Sequence, residues 1–317
     1  MRRIIAVWLV MTMLVGGTLG FVNLSTSAEE VGNGDVEMKS VSTSQSKSYT
    51  SHDPIYINGN DNFTDANGVV SGLGTQGNPY IIEGWDINAN TTDGIYIENT
   101  NVYFIIRNCV VHDGWIGWGD AHYGGDSYYG IYLSDVSNGT IDNVTSYNNW
   151  KSINVISHSN NNTISNCDVH NNRYGIQLWS SSNNNLTNCY VYNNSYGIHL
   201  RYSSNNNLTN CAVYNYNHSG DGISLDSSSN NQITNCTVYD NSDGIYIYYS
   251  SDNQIIDCTA YNNSDGIELE YSSNNQISDC TVYGNYRGIY VYYYSNFNRI
   301  TDCILDNWYG IYVYYFS

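Results

Sequence analysis

The sequence predicts an all-β fold, a parallel β-helix solenoid of about ten rungs of ~22 residues with three short strands in each rung. Three observations indicate this fold. A Gly-Ile pair recurs with a basic step of 22 residues, one cysteine recurs in a fixed place of each repeat, and apolar residues alternate with outward ones after each glycine. Because a fixed period of this size is typical of solenoids, the architecture follows from the repeat itself.

The chain begins with the pattern of a secretory signal. Two arginines precede a long apolar run, and small residues then lead to Ala28, which predicts a signal peptide over residues 1–28 and a secreted or cell-surface protein. An uncleaved anchor is the alternative, because the run from Ile4 to Val22 is long enough to span a bilayer. Residues 29–50 are rich in Ser and Thr and are predicted to form a disordered tether.

The remainder of the chain divides into a lead-in and the repeats. Residues 51–93 are predicted to form an N-terminal cap segment with the first strands, and residues 94–317 to form the β-helix repeats. A solenoid needs a polar cap over its last rung. None is visible before Ser317, which suggests a truncated array. Asn-x-Ser/Thr sequons in the turns, among them Asn138 and Asn235, would make an exported chain a glycoprotein.

The charge of the chain limits its partners. Cleavage after residue 28 removes two arginines and no acid, so the formal charge moves from −19 to −21. Such a surface repels nucleic acid, and it repels anionic polysaccharide unless cations intervene. The sequence therefore predicts no nucleic-acid partner and, after cleavage of the signal, no membrane span.

Each repeat supplies inward side chains from three strands. In "SDGIYIYYSSDNQ" Ile245 and Ile247 alternate with tyrosines at a period of two, which predicts a strand with both isoleucines pointing inward. The second strand adds Ile233, and the third adds Cys236 and Val238. The stretch "ITNCTVYDN" also resembles a leucine-rich repeat, but that fold needs a helix or an equivalent crossover where this sequence is strand-like.

Cysteines and asparagines form two columns with structural roles. Stacked cysteines would lie about 4.8 Å apart, beyond the ~3.5–4.5 Å between Cβ atoms of a relaxed disulfide. We predict free, buried thiols, with a Cu(I)-binding ladder as the alternative. The asparagines, five residues after the cysteines, are predicted to bond buried backbone groups in the turns. These positions are Cys167, Cys189, Cys211, Cys236, Cys258, Cys280, Cys303, Asn172, Asn194, Asn241, Asn263 and Asn285.

The repeat "GIxLxxSSNNxIxNCxVYNN" resembles those of the NosD-like right-handed parallel β-helix proteins, within the wider carbohydrate-binding and sugar hydrolase group. The lead-in over residues 54–89 is similar to that of exported members, so that the resemblance covers residues 54–317. It implies a right-handed coil and a carbohydrate partner. It also implies copper handling as one alternative function.

Two sets of acids are candidates for chemistry. Asp221, Asp243 and Asp265 each precede a Gly-Ile pair and stack on adjacent rungs, which suggests a weak calcium site, with solvated turn carboxylates as the alternative. Glu268 and Glu270 lie two apart on one strand, roughly 7 Å by strand rise, and Asp226 lies near them. This spacing suits the acid and base of an inverting glycosidase, although solvated surface acids are the alternative.

Aromatic residues are the largest predicted surface feature. Columns of outward tyrosines either protect the strands or bind a glycan. The repeat also breaks after Cys109, where residues 112–129 carry a 13-residue insertion, and insertions on one face commonly build a binding site. A metal site and a packing flap are the alternatives for this loop. The predicted carbohydrate-binding residues are Trp115, Trp118, His122, Tyr123, Trp179, Tyr248 and Tyr292.

These observations favour an exported β-helix scaffold that binds neutral carbohydrate, either a polymer or a cell-surface glycan. A polysaccharide-cleaving glycosidase or lyase of the same fold is the first alternative, and a copper-handling accessory protein is the second. No cofactor is required by the pattern, and calcium is the one candidate.

Overall fold

The computed structural model describes residues 48–115, 127–215, 220–315 and 317. It confirms the all-β prediction: three sheets of eleven strands each run along the coil. Helical structure in these ranges is limited to two 3-10 turns, Asn60–Asn62 and Asp65–Asn67. The leucine-rich repeat alternative is therefore wrong for this part of the chain.

Each rung contributes one strand to each sheet. The Gly-Ile sheet consists of Ile55–Asn58, Ile95–Thr100, Tyr129–Val136, Lys151–Ile156, Tyr174–Trp179, Tyr196–Arg201, Ile223–Asp226, Asp243–Tyr248, Asp265–Glu270, Arg287–Tyr292 and Tyr309–Tyr314. The middle sheet consists of Val69–Ser71, Tyr80–Glu83, Phe104–Arg107, Gly139–Asp142, Thr163–Ser165, Asn185–Thr187, Asn207–Thr209, Gln232–Thr234, Gln254–Ile256, Gln276–Ser278 and Arg299–Thr301. The cysteine sheet consists of Thr50–Ser51, Trp85–Asn88, Val110–His112, Thr145–Tyr147, Asp168–His170, Tyr190–Tyr192, Ala212–Tyr214, Thr237–Tyr239, Thr259–Tyr261, Thr281–Tyr283 and Ile304–Asp306.

Equivalent residues of successive rungs lie directly above one another. Ile245 pairs with Ile223 on one side and with Ile267 on the other, and the same register continues along the sheet. The predicted inward residues Ile233, Ile247 and Val238 are fully buried. Since the repeat places apolar side chains at every such position, one continuous core follows the axis.

The lead-in segment belongs to the coil and also contains an antiparallel strand pair, in which Val69–Ser71 runs against Tyr80–Glu83. Gly72 lies at the end of this pair with φ of 103°, and a Cβ atom there would lie 1.9 Å from the carbonyl oxygen of Pro79, so only glycine fits.

The predicted end of the tether is wrong at its last residue. Thr50 already pairs with Trp85 in the cysteine sheet.

The asparagine column is confirmed and forms a buried ladder. The backbone N–H of Asn241 donates to Asn263 Oδ1 at 3.0 Å, and Asn263 Nδ2 donates to the carbonyl oxygen of Val238 at 3.2 Å. Asn263 Nδ2 also donates to Asn285 Oδ1 on the following rung at 3.1 Å, so this amide bonds the rungs on both sides of it. A second ladder in the Ser-Ser-Asn-Asn turn was not predicted residue by residue. Its buried members are Asn162, Asn184, Asn206, Asn231, Asn253 and Asn275.

The cysteine column also lies where the repeat predicts. The cysteines carry free thiols and are buried, except that Cys303 on the last rung is partly exposed. Because the column lies in the packed core, where each thiol contacts apolar side chains and backbone carbonyls, the structural interpretation is favoured over the copper ladder.

We predict that Asn263→Ala lowers the free energy of unfolding by about 1–3 kcal/mol, because it leaves the buried carbonyl of Val238 and the N–H of Asn241 without partners. Urea unfolding followed by circular dichroism measures the change. Gln254→Ala, on the exposed side of the middle sheet, is the control and should change stability by less than about 0.5 kcal/mol. Equal effects of both substitutions would contradict a special role of the ladder.

Candidate functional site

The outer face of the Gly-Ile sheet gathers most of the polar residues singled out above. We call it the polar face and define it by three parallel rows of side chains, whose pairing follows the strand register. The edge row is Lys151, Tyr174, Tyr196, Asp221, Asp243, Asp265 and Arg287. The central row is Asn154, Gln177, His199, Ser224, Tyr246, Glu268 and Tyr290. The outer row is Ile156, Trp179, Arg201, Asp226, Tyr248, Glu270 and Tyr292.

Most of the central row is buried although it points away from the core, and only His199 and Tyr246 are partly exposed. Glu268 is only 6 % exposed, since the larger rings of Tyr246 and Tyr290 lie on the adjoining rungs. The interpretation of Glu268 as a solvated surface acid is therefore wrong. The sequence pattern shows that a residue faces outward, but not how deeply its taller neighbours enclose it.

Three carboxylates meet in the C-terminal half of the polar face. One oxygen of each of Asp243, Asp265 and Glu268 lies within 4.8 Å of the others, and Asp265 and Glu268 are buried. The structure thus joins two residues of the predicted calcium column to one of the predicted catalytic acids. Asp221 lies one rung further away, in register with Asp243.

Arg287 neutralises part of this cluster. It follows Asp265 on the next rung, and its Nε and Nη2 both donate to the two carboxylate oxygens of Asp265. The guanidinium also lies 3.7 Å from the centre of the Tyr290 ring. Because a bidentate arginine already satisfies Asp265, these residues fit an ion-pair network better than a calcium site.

Burial and mutual repulsion shift the acids of the cluster. Burial raises the pKa of Asp221 to about 6. Burial and the neighbouring Asp221 and Asp265 raise the pKa of Asp243 to about 7. Burial, with Asp243 and Asp265 nearby, raises the pKa of Glu268 to about 9. At neutral pH the Glu268 carboxyl group therefore keeps its proton, as a general acid must.

Tyrosine hydroxyls connect Glu268 to Glu270. The Tyr246 hydroxyl donates a short hydrogen bond to Glu270 Oε2. Burial raises the pKa of Tyr292, and so do its hydrogen bonds to Glu268 and Glu270. The two glutamates lie roughly 7 Å apart by strand rise, so one hydroxyl reaches both.

Asp226 does not join this group. It lies in the row of Glu270, two rungs before it and roughly 10 Å away. Its carboxylate pairs with Arg201, with 3.1 Å between Arg201 Nε and Asp226 Oδ2. The predicted register is confirmed, but Asp226 is engaged in a separate ion pair.

The predicted carbohydrate-binding rings of the outer row are accessible to different degrees. Trp179 is 39 % exposed, and the Arg201 guanidinium lies 5.0 Å from its ring centre. The Tyr248 ring contacts Tyr249 edge-on, with 4.4 Å between ring centres. Tyr292 stacks on Tyr290 at 4.3 Å, with 2° between the ring planes. Charged residues separate these rings along the row.

The tyrosine column on the cysteine sheet has a different character. Its rings stack face to face, with Tyr239 and Tyr261 4.8 Å apart and 3° from parallel. The faces that a sugar would contact are thus covered by neighbouring rings. This favours the packing interpretation for the whole column. The stacked rings are His112, Tyr147, His170, Tyr192, Tyr214, Tyr239, Tyr261 and Tyr283.

Three of the predicted loop residues, Trp118, His122 and Tyr123, lie outside the described residues. Trp115 is half-buried and meets Trp150 edge-on, with ring centres 6.4 Å apart. The base of the loop is closed by the N–H of Tyr128, which donates to the carbonyl of Gly114 at 2.7 Å.

Sequence analysis missed several residues of this face. Lys151 and Arg287 stand where neighbouring rungs have tyrosine or aspartate, so the repeat pattern does not mark them as part of this face. Tyr249, Tyr271 and Tyr293 form an unpredicted stack beside the outer row, in the left-handed backbone region that bulky residues rarely adopt. The sequence feature that could have revealed this stack is the third aromatic residue in "YIYYS", residues 246–250.

We predict that Glu268 makes the protein less stable as pH rises. Its pKa in the folded state exceeds its ordinary value of 4.5. The folded state therefore holds a proton that the unfolded state has lost, and stability falls between about pH 4.5 and 9. Glu268→Gln should be the more stable protein at pH 9, by about 1–3 kcal/mol, and should show a flatter pH profile in urea unfolding. Asp252→Asn, in an exposed turn, is the control, and an unchanged slope in Glu268→Gln would contradict the burial argument.

No helix among the described residues is long and apolar enough to cross a membrane. The sequence matches no curated protein. The structure of the chain does match solved structures of the same architecture. The A-module of a mannuronan C-5 epimerase from Azotobacter vinelandii is 15% identical with a TM-score of 0.51, over 74% of this chain and 89% of that one.

Two further structures share the fold at similarly low identity. An alginate lyase from Paenibacillus sp. is 12% identical with a TM-score of 0.51, over 79% of this chain and 98% of that one. The enzymatically active domain of bacteriophage CBA120 tailspike protein 2 is 14% identical with a TM-score of 0.50, over 80% of this chain and 41% of that one.

Residues 119–218 and 174–317 match the right-handed β-helix region family. Since these matches span more than half of the sequence, the chain belongs to the right-handed β-helix family.

Proposed function

We propose that this chain is an exported β-helix that binds polysaccharide along the polar face. The observation that carries the proposal is the outer row, in which rings and charged groups alternate at the strand spacing. Trp179, Tyr248 and Tyr292 supply aromatic surface, and the residues between them supply hydrogen-bonding groups. A polymer lying along the coil axis would meet these groups in turn, and sugars pack on aromatic rings while their hydroxyls bond polar neighbours.

Charge and accessibility support a glycan as the ligand. The acids in the C-terminal half of the polar face disfavour a strongly anionic polymer there, so the units bound in that half are neutral. The exposed Tyr294 borders the outer row and extends its aromatic surface. Copper handling gains no comparable support, because the cysteines lie in the packed core.

We expect Trp179→Ala and Tyr248→Ala each to weaken glycan binding by several-fold to about tenfold, the loss that follows from removing one aromatic contact. A glycan array identifies a ligand, and isothermal titration calorimetry measures the affinity of each variant. Tyr190→Ala, an exposed tyrosine on the cysteine sheet, is the matched control. Unchanged binding in both variants, or an equal loss in the control, would refute binding on the polar face.

Cleavage of the bound polysaccharide is a second candidate function. It is favoured by the protonated, buried Glu268 two residues from Glu270, with Tyr292 bonded to both. Glu268 would donate a proton to the leaving oxygen and Glu270 would activate water, at a separation typical of inverting enzymes. Asp226 is a poorer partner, because Arg201 holds its carboxylate.

If the chain cleaves its ligand, Glu268→Gln should lower the rate at least about a hundredfold, the contribution of one general acid. The assay is release of reducing ends from glycans that the wild-type protein binds. Asp252→Asn serves again as the control and should retain full activity. Binding of a glycan without any release of reducing ends from it would rule out hydrolysis of that glycan and leave binding as the function.

A further inference from the structure

The N-terminal half of the polar face contains buried polar atoms without partners. Asn154 and Gln177 lie on neighbouring strands of the central row and are 1 % and 4 % exposed. Neither Asn154 Oδ1 nor Gln177 Oε1 has a hydrogen-bond partner. Buried polar atoms are nearly always bonded, so two adjacent unpartnered acceptors on one face need an explanation.

His199 fixes the Gln177 amide next to these acceptors. Burial lowers the pKa of His199 to about 4, so the ring is neutral at pH 7. Gln177 Nε2 lies 3.2 Å from His199 Nδ1, which then accepts its hydrogen bond. Rotating the amide by half a turn would exchange its oxygen and nitrogen and would leave the nitrogen unpartnered instead. One polar atom of Gln177 therefore lacks a partner in either orientation.

Lys151 lies above this pair of residues. Its Nζ is 5.5 Å from the ring centre of Tyr129 on the preceding rung, 5.6 Å from that of Tyr174 and 5.9 Å from that of Trp179. Tyr174 and Trp179 lie at opposite ends of the strand that carries Gln177, so the ammonium group extends from the edge row over the central row.

The Lys151 ammonium has no counter-charge in the part of the chain that the structure describes. None of the ion pairs there includes it, although the chain has 29 acidic residues and only ten Lys and Arg. Arg201, two rungs further along the face, is paired with Asp226. Burial lowers the pKa of Lys151. A half-buried cation without an acid beside it is best satisfied by an anion from outside the protein.

We propose that Lys151, Asn154, Gln177, His199 and Trp179 form a binding subsite for one acidic sugar unit of a polysaccharide. The anionic group, a carboxylate or a sulfate, binds the Lys151 ammonium. The sugar ring lies beside Trp179. Binding turns the Lys151 side chain off the central row, so that hydroxyl groups of the same unit reach the otherwise buried Asn154 Oδ1 and Gln177 Oε1 and donate to them. This inference rests on the proposed function and adds the class of ligand and its position.

The subsite and the acidic cluster together select a mixed polymer. Lys151 lies four strands from Asp243 along the sheet, roughly 19 Å away. A uniformly anionic chain would meet repulsion from Glu270 and from the ionised fractions of Asp221 and Asp243, since Arg287 neutralises Asp265. A uniformly neutral chain would leave Lys151 without a counter-charge. A polysaccharide with an acidic unit at one end of the face and neutral units at the other satisfies both halves.

The test uses the full chain and three oligosaccharide probes of equal length, one carrying uronate, one carrying sulfate and one neutral. Isothermal titration calorimetry with Lys151→Met should show at least about tenfold weaker binding of whichever acidic probe binds, the loss expected for one charge-assisted hydrogen bond. Binding of the neutral probe should not change. Lys151→Arg should restore most of the affinity. Arg299→Met removes an exposed cation from the middle sheet and is the matched control.

Gln177→Leu separates binding from packing. It removes the unpartnered Oε1 and also the hydrogen bond between Nε2 and His199 Nδ1, and these two effects on stability oppose each other. The free protein should therefore unfold at a urea concentration similar to that of the wild type, while binding of the acidic probe weakens. A loss of stability with unchanged binding would assign Gln177 a structural role and overturn the subsite.

Failure of the subsite differs from failure of the proposed function. If the wild type binds the neutral probe through Trp179 and Lys151→Met binds the acidic probes like the wild type, the subsite is wrong and glycan binding on this face stands. Equal weakening of neutral and acidic probes in Lys151→Met also overturns the subsite, because a general change of the face would explain it. If the wild type binds none of the three probes and no glycan on an array, both proposals fail.

Discussion

The stacking of each rung on the one before it, at the strand spacing of about 4.8 Å, is the constraint on which the rest of the structure depends. Every side chain except those of the terminal rungs lies between two copies of its own position. The side chain at each position must therefore pack against, or bond to, similar side chains on both adjoining rungs. Isoleucine satisfies this by close packing, and asparagine satisfies it because its side-chain amide both donates and accepts, as in the Nδ2 to Oδ1 bonds from Asn241 to Asn263 and from Asn263 to Asn285. Cysteine satisfies it as a small buried thiol.

Ionised carboxylates repel one another at this spacing. The chemistry of the polar face follows from that repulsion. Asp243 and Asp265 stack on adjacent rungs beside Glu268, and the structure relieves their repulsion with Arg287 on the next rung and with a proton on Glu268. Burial and its acidic neighbours also raise the pKa of Asp243 to about 7. The tyrosine hydroxyls around Glu270 complete the group. Perturbed carboxyl groups on an outer face are typical of functional sites, although ion-pair networks also produce them. The proposed roles of Glu268 and Glu270 in catalysis depend on this distinction.

The fold could be predicted from the sequence because it is local and repeated. A period of two after each Gly-Ile pair places Ile245 and Ile247 inside, and the 22-residue step then places every equivalent residue, so one rung determines the others. The site could be predicted only in part. Register identified the column of Asp243 and Asp265, but burial of Glu268 depends on the heights of Tyr246 and Tyr290 on the adjoining rungs, which a residue-by-residue pattern does not contain.

The repeat also makes the protein a molecular ruler. Removing or adding one complete 22-residue unit between Lys151 and Asp243 would preserve the register of all three sheets, since both cut ends would meet equivalent positions. The distance between the cationic and the acidic parts of the polar face would then change in steps of about 4.8 Å. Relatives of different lengths could thus measure out different spacings on a long ligand while every rung keeps the same interior.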